Sequence, residues 1–266
     1  MSSAPAPAKL NLALVVGPCR PDGKHEVATA LQRLALADTI ELEPADQLAV
    51  EGFPEDTLVR GALEALAKQA GVQPRWRARI AKVIPVAAGL GGGSSDAATA
   101  LRLANATLER PLPPAELARL AGTLGADVPF FLAEGPQLGS GDGSTLEPLA
   151  LPQEYVVLLV LPEAEGKSST RAVYEDFDRR EGGHGFAERR ARLAAALSPP
   201  ELRAFPPNDL ATSPISGELH ALGAFRADVT GAGPAVYGLF AGREAAEAAE
   251  AEIRSRGRTW ITTPEW

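Results

Sequence analysis

The sequence predicts an α+β fold divided into two domains. Three observations carry that expectation. Strand and helix signals follow one another in mixed order rather than in strict βαβ alternation. The 266 residues exceed the usual size of one domain. A composition of 45% hydrophobic and 23% charged residues is that of a globular chain able to bury a sizeable core. A boundary near residue 150 divides the chain into parts of ordinary size, 1–150 and 151–266.

The elements follow in order. Leu10–Val16 is a short apolar run stopped by Gly17, Pro18, Pro21 and Gly23, which reads as a strand entering a tight connection; Lys9 and Asn11 share one of its faces. Thr39–Leu42 and Leu48–Val50 are further strands. Leu58, Ala62, Leu66 and Ala70 form one helical stripe closed by Gly71. From Arg75 to Ile80, Trp76, Ala78 and Ile80 alternate with arginines, giving a half-exposed strand with a cationic face open to anions. A glycine-rich stretch, Gly89 to Ser95, runs into a helix expected from about Asp96 to Leu108, followed by a helix over Pro114–Leu124.

Gly135–Gly143 is rich in turn residues and reads as a loop or hairpin. Tyr155–Leu161 is unbroken in apolar character, as in a strand buried on both faces. The charge run Arg179–Arg192 reads as the solvated face of a helix. A helix is expected over Asp209–Phe225, a strand, glycine turn and strand over Ala227–Phe240, and an amphipathic helix over Glu244–Arg256.

Composition excludes several function classes. With 26 basic and 34 acidic residues the net charge is −8, which argues against an extended nucleic-acid groove and leaves room for a local pocket for phosphates. Cys19 is the only cysteine, so no internal disulfide can form and a thiolate zinc site lacks its ligand set. Residues 1–8 have neither a basic leader nor a long apolar run, and no stretch reaches the roughly 18 apolar residues of a membrane span. The expectation is a cytoplasmic protein without nucleic-acid or membrane partners. Monomer and homodimer both stay open.

The glycine stretch carries the chemistry. Consecutive glycines remove the side chains that would hold an anion off the backbone, and a loop emptying into a helix aims several N–H groups at one point. Ser94 and Ser95 stand where an N-cap is expected. No Lys lies between Val83 and Thr107, which excludes a Walker loop. Ser94 in place of a glycine, and Pro85 in the preceding segment, exclude a dinucleotide fingerprint.

Pro85, Gly89-Leu90-Gly91 and Ser94-Ser95 resemble the phosphate loop of the GHMP kinases, and four other stretches agree in order. These are Ala8–Leu12 with Arg20–His25, Leu124–Phe131, Asn208–Leu210 and Thr230–Pro234. The extended form Gly-Leu-Gly-Gly-Gly-Ser-Ser-Asp-Ala-Ala resembles members of the non-mevalonate isoprenoid pathway whose alcohol substrate carries a cytidyl diphosphate.

The resemblance implies a two-domain fold with the site in the interdomain cleft, ATP and Mg²⁺ as cofactors, and small molecules as partners. It implies ATP phosphates on the amides of Gly89, Leu90, Gly91, Gly92, Gly93, Ser94 and Ser95, with Ser95 a Mg²⁺ ligand. Lys82 and Val86 match the adenine pocket, although Thr57 replaces the family's Asn. Lys9 and Asp127 match the catalytic pair, and Asn11, Lys24, His25, Thr170 and Tyr174 the substrate-binding positions. Lys24 stands where the family has a Tyr that stacks on cytosine, Tyr174 matches the second aromatic, and Ser168-Ser169-Thr170 resembles a diphosphate-binding loop. Gly231–Pro234 reads either as a close approach of two backbones under the phosphate loop or as a plain β-turn. A GHMP kinase with another alcohol acceptor, and a nucleotide-binding regulator without catalysis, remain open readings at this point.

Overall fold

The structure, a computed structural model, describes residues 1–163 and 169–265. In chain order it contains β1 (Ser2–Cys19), β2 (His25–Pro44), β3 (Ala49–Glu51), α1 (Leu58–Ala70), β4 (Trp76–Ala81), α2 (Gly92–Asn105) and α3 (Pro114–Leu124). There follow β5 (Gln137–Gly141), β6 (Thr145–Pro148), β7 (Val156–Pro162), α4 (Thr170–Arg179), α5 (Phe186–Ala196) and α6 (Pro214–Ala221). The chain continues with β8 (Arg226–Val229), β9 (Val236–Phe240), α7 (Arg243–Ile253), β10 (Gly257–Thr262) and β11 (Pro264–Glu265).

Two compact units interleave along the sequence: Met1–Ala8, Leu36–Val86 and Gly91–Glu134 form one, and Lys9–Ala35, Ala87–Leu90 and Gly135–Trp266 the other. The long strands β1 and β2 each contribute to both.

In the first unit, Thr39–Pro44 of β2 pairs antiparallel with β4, and β3 pairs parallel with β4. Trp76, Ala78 and Ile80 point inward as their alternation predicts. The intervening arginines do not offer a cationic face. Arg77 pairs with Glu43 at 3.1 Å and Glu51 at 3.4 Å, and a shallow cavity of about 230 Å³ on this face is lined by these ion pairs. Cross-strand glutamates thus neutralise the face that the strand alone leaves positive. Helix α1 ends at Gly71, left-handed at φ 68°, and buries Val59, Ala62, Leu63, Leu66 and Ala67. Helix α2 packs against it and buries Ala97, Ala98, Ala100 and Ala104, small residues that suit a closely packed helix.

In the second unit, Val27–Leu31 of β2 pairs with β5, and β5 with β6 forms the expected hairpin. A separate antiparallel sheet runs β10–β7–β9–β8. Val156, Leu158 and Val160 of β7 pack against Ile215 and Leu219 of α6 and Ala246, Ala249 and Ile253 of α7. Val157 and Leu159 on the opposite face are equally buried, which is why β7 is apolar without interruption.

Two expected elements are corrected. The helix expected from Asp209 begins at Pro214, whose fixed φ suits a first turn, with Ser213 Oγ accepting from the Ile215 N–H at 3.3 Å. Asp209 instead accepts from the Val16 N–H at 2.8 Å. The charge run over Arg179–Arg192 is two helices separated by Gly182, Gly183 and Gly185. Arg179, Arg180, Glu181, Glu188, Arg190 and Arg192 are exposed, as a solvated face requires, whereas Arg189 is half-buried, donating to Asp209 at 2.9 Å and to the carbonyls of Val16 and Gly182 at 3.0 and 2.8 Å.

Candidate active site

Within the second unit, β1 carries Lys9 and Asn11 two residues apart on one face, and both are buried. Their orientation follows from a chain of hydrogen bonds. Thr29 Oγ1 gives its single proton to the Ala13 carbonyl at 2.8 Å, so it accepts from Asn11 Nδ2, also at 2.8 Å. Asn11 must then turn Oδ1 toward Lys9, whose ammonium donates to it. The Asn11 N–H donates to Thr230 Oγ1 at 3.1 Å.

The same unit holds the first half of the glycine stretch. Ala88 accepts from the Ala235 N–H at 3.1 Å, and Leu90 accepts from the Lys9 N–H at 2.9 Å. Gly89 has φ 83°, and a Cβ there would lie 2.4 Å from the Thr230 carbonyl oxygen. Both readings of Gly231–Pro234 hold: the Gly233 N–H closes a β-turn on the Thr230 carbonyl at 3.0 Å, and the two backbones approach closely, since a Cβ on Gly231 would meet the Gly89 carbonyl at 3.3 Å and Lys9 Nζ at 3.4 Å.

The second half belongs to the first unit. Gly91 turns left-handed at φ 70° as N-cap, so α2 starts at Gly92 rather than at Asp96. Ser94 and Ser95 are therefore inside the helix and not its cap. The Ser95 N–H is spent on the Gly91 carbonyl at 2.9 Å. The amides of Gly92, Gly93 and Ser94 are the leading donors of the helix, and they sit at the positive end of its dipole. The glycines at 92 and 93 make room for packing: a Cβ on Gly92 would lie 3.2 Å from Lys82 Nζ, and one on Gly93 3.3 Å from Leu58.

Behind that turn is an ion cluster. Lys82 donates to Asp96 at 2.7 Å and to Asp38. Asp38, fully buried, also accepts from the N–H groups of Val83 at 2.5 Å and Ile84 at 2.8 Å. Burial works against the Lys82 ammonium, yet its two carboxylate hydrogen bonds outweigh this and raise its pKa. Burial pushes Asp96 up to about 7 against the pull of Lys82. The Lys82 head is thus engaged by carboxylates, whereas Val86 is half exposed. Thr57 caps α1 without a side-chain bond; Asp56 takes the Val59 N–H at 3.0 Å instead.

Ser95 Oγ is buried with no hydrogen-bond partner, an orphaned oxygen of the kind a hard cation takes. Among the described residues no group of three His, Cys, Asp or Glu side chains is arranged to hold a metal. A Mg²⁺ there would lean on phosphate oxygens and water, as that ion commonly does.

Asp127 is half-buried in the turn Gly125–Val128, closed by the Val128 N–H on the Gly125 carbonyl at 3.2 Å. The buried Phe130 and Phe131 anchor that turn from its C-terminal side. In the second unit, His25 is buried against Tyr174, ring centroids 4.8 Å apart, and Phe177, 5.8 Å and edge-on. Its Nε2 lies 2.8 Å from Asp178. Lys24 instead donates to Asp142 at 2.5 Å, and this bond, reinforced by Ser144, holds the Asp142 carboxyl at about 2. Thr170 opens α4 behind the cap of Ser169, which accepts from the Ala172 N–H at 3.1 Å; Ser168 lies outside the described residues.

Sequence reasoning missed Asp38, Asp96, Asp142 and Asp178. Asp38, a charge just before a β-branched strand run, and Asp96, directly after Ser94-Ser95, had a local signal; Asp142 and Asp178 had none, because their partners are distant in sequence.

The GHMP kinases N terminal domain matches residues 57–135, and the GHMP kinases C terminal domain residues 213–259. A 4-diphosphocytidyl-2-C-methyl-D-erythritol kinase of Anaeromyxobacter dehalogenans is 37% identical over 95% of this chain and 85% of its own length. A crystal structure of 4-(cytidine 5'-diphospho)-2C-methyl-D-erythritol kinase superposes with a TM-score of 0.83 at 34% identity over 100% of both chains. A mevalonate kinase superposes at 0.79 with 15% identity over 99% of both, a likeness of fold. Among the described residues, no helix is long and apolar enough to cross a membrane.

Proposed function

Because this chain belongs to the 4-diphosphocytidyl-2-C-methyl-D-erythritol kinases of the GHMP kinase family, we propose that it transfers the γ-phosphoryl group of ATP to the 2-hydroxyl of that cytidylylated alcohol, a step of the non-mevalonate isoprenoid pathway. It is a small-molecule kinase with an alcohol acceptor. The observation that carries the reading is its 37% identity to such a kinase across 95% of the chain. The open glycine turn at the head of α2 supports it chemically, because three leading amides and a helix dipole favour a polyphosphate.

The residue roles are part of the proposal. The amides from Gly89 to Ser94 take the ATP phosphates, Val86 lies toward the adenine, and Lys82 acts from beside Gly92. Lys9, oriented by Asn11, stabilises charge on the transferred group. Asp127 orients the acceptor hydroxyl. An alcohol is a far weaker acid than a carboxylic acid of pKa about 4, and phosphoryl transfer has a loose transition state that asks little ionisation of the nucleophile. Orientation, which supplies up to ~7–11 kcal/mol in well-placed intramolecular reactions, therefore outweighs proton acceptance by Asp127. Ser95 Oγ would hold a Mg²⁺ ion together with phosphate oxygens, and the chemistry it would supply there is neutralisation of phosphate charge.

Thr170 is proposed for the substrate diphosphate, and His25 and Tyr174 for its base. The division into an N-terminal ATP-binding part, 1–150, and a C-terminal part, 151–266, that contributes to substrate binding is proposed as a functional one. So is a cytoplasmic location. An ADP-release assay across the cytidylylated alcohol, homoserine and mevalonate tests the reading; turnover of the first alone is expected, and none on it overturns the proposal.

A further inference from the structure

Resting on the base-recognition part of that reading, we infer that Asp178 is a positioning residue that sets which nucleobase the kinase accepts, by locking the His25 imidazole in one tautomer. A carboxylate only accepts hydrogen bonds. With Asp178 Oδ1 2.8 Å from Nε2 of His25, the ring proton belongs on Nε2, and in the neutral imidazole Nδ1 keeps its lone pair. The ring does not turn freely to undo this. Tyr174, Phe177 and Asp178 stand at i, i+3 and i+4 on α4, one helix face, and all three touch the same imidazole.

The neighbouring cation does not compete for the carboxylate. Lys24 donates to Asp142, on the turn after β5, which leaves Asp178 to the histidine. An imidazole with its lone pair on Nδ1 complements an amino group. Cytosine carries an amino donor at C4, where uracil carries a carbonyl acceptor that would face that lone pair. Discrimination thus comes from repulsion of the wrong base as well as attraction of the right one. The half-buried Tyr174 ring beside His25 supplies an apolar surface that every base shares, so identity falls to the hydrogen-bonding nitrogen.

The test has two readouts. Long-range ¹⁵N NMR of the whole protein, above the ordinary imidazole titration range, is expected to show the His25 proton on Nε2 in the wild type. In Asp178→Asn, whose amide offers both a donor and an acceptor, a mixture of tautomers is expected. Steady-state kinetics with the cytidylylated alcohol and its uridylylated analogue form the second readout. Asp178→Ala is expected to lose about tenfold in kcat/KM for the former, carried by KM, and a similar factor of base preference, with partial rescue by Asp178→Glu. A wild-type proton on Nδ1, or a preference unchanged within about twofold in Asp178→Ala, overturns the inference. If the wild type turns over neither alcohol, the proposed activity fails by itself. The inference is then judged by the tautomer and by calorimetric binding of cytidine and uridine diphosphates, where equal affinities overturn it.

Discussion

Lys82 donates to the carboxylate of Asp96 across 2.7 Å, and this one ion pair ties the exit of β4 to the second turn of the helix that carries the glycine stretch. It also has a pH signature. Asp96 sits at about 7 in the folded protein, with burial the largest cause, above an unfolded value near about 4. Between those values the native state binds the extra proton, so this contribution is complete below about 4 and is lost as pH rises through about 7. The slope reaches at most about 1.4 kcal/mol per pH unit. Asp96→Asn, which does not titrate, should flatten that decline in urea midpoints taken from about pH 5 to about pH 7.5. Parallel slopes in the two proteins would mean that Asp96 is ionised throughout.

Two glycine-to-alanine substitutions should act in opposite directions. Gly89 is left-handed and its missing Cβ would lie 2.4 Å from the Thr230 carbonyl, so Gly89→Ala should destabilise by about 2–4 kcal/mol. Gly61, inside α1 with nothing within 4 Å of its Cβ position, should gain about 0.5–1 kcal/mol. Urea unfolding decides both. A tolerated Gly89→Ala would show that the two backbones are not in close approach.

Replacing Lys24 by Tyr should lower KM for the cytidylylated alcohol by about tenfold, because a ring can stack on the base where an alkyl stem can only cover it. The change also frees Asp142, whose carboxyl now lies at about 2 chiefly through its bond from Lys24 and should return toward the ordinary range. Titration of Asp142 by NMR and KM measurements on the same variant check the two halves separately. An unchanged KM would place Lys24 outside base recognition.

For Asp127→Asn, turnover should fall to the low end of what a general base contributes, about 10²-fold, while ATP and substrate bind normally. The amide keeps the shape and one acceptor of the side chain but cannot take a proton. Complete loss of turnover with unchanged binding would make proton acceptance, rather than orientation, the main contribution of Asp127.

How far the site was legible depended on sequence distance. Lys9 and Asn11 share a strand face by simple alternation, and their hydrogen bond follows. The glycine stretch was readable as a turn that opens into a helix because left-handed turns and helix starts are local events. The start of α2 was misjudged because serine was given the capping role that a left-handed Gly91 performs. Arg189 read as a solvated charge because its acceptors, Asp209 and the Val16 carbonyl, are far along the chain.

The sequence by itself determined the mixed α and β elements, the glycine turn over Gly89–Ser95 that opens into a helix, and the family, since each rests on periodicity, backbone freedom or short ordered motifs. Tertiary structure alone decided which carboxylate each basic side chain receives: Asp38 and Asp96 for Lys82, Asp142 for Lys24, and Asp178 for the His25 imidazole. The physical reason is that charge pairing depends on distance through space. A chain read in order shows that acids and bases are present, but only their packing settles which ones are desolvated together and so which protons are held.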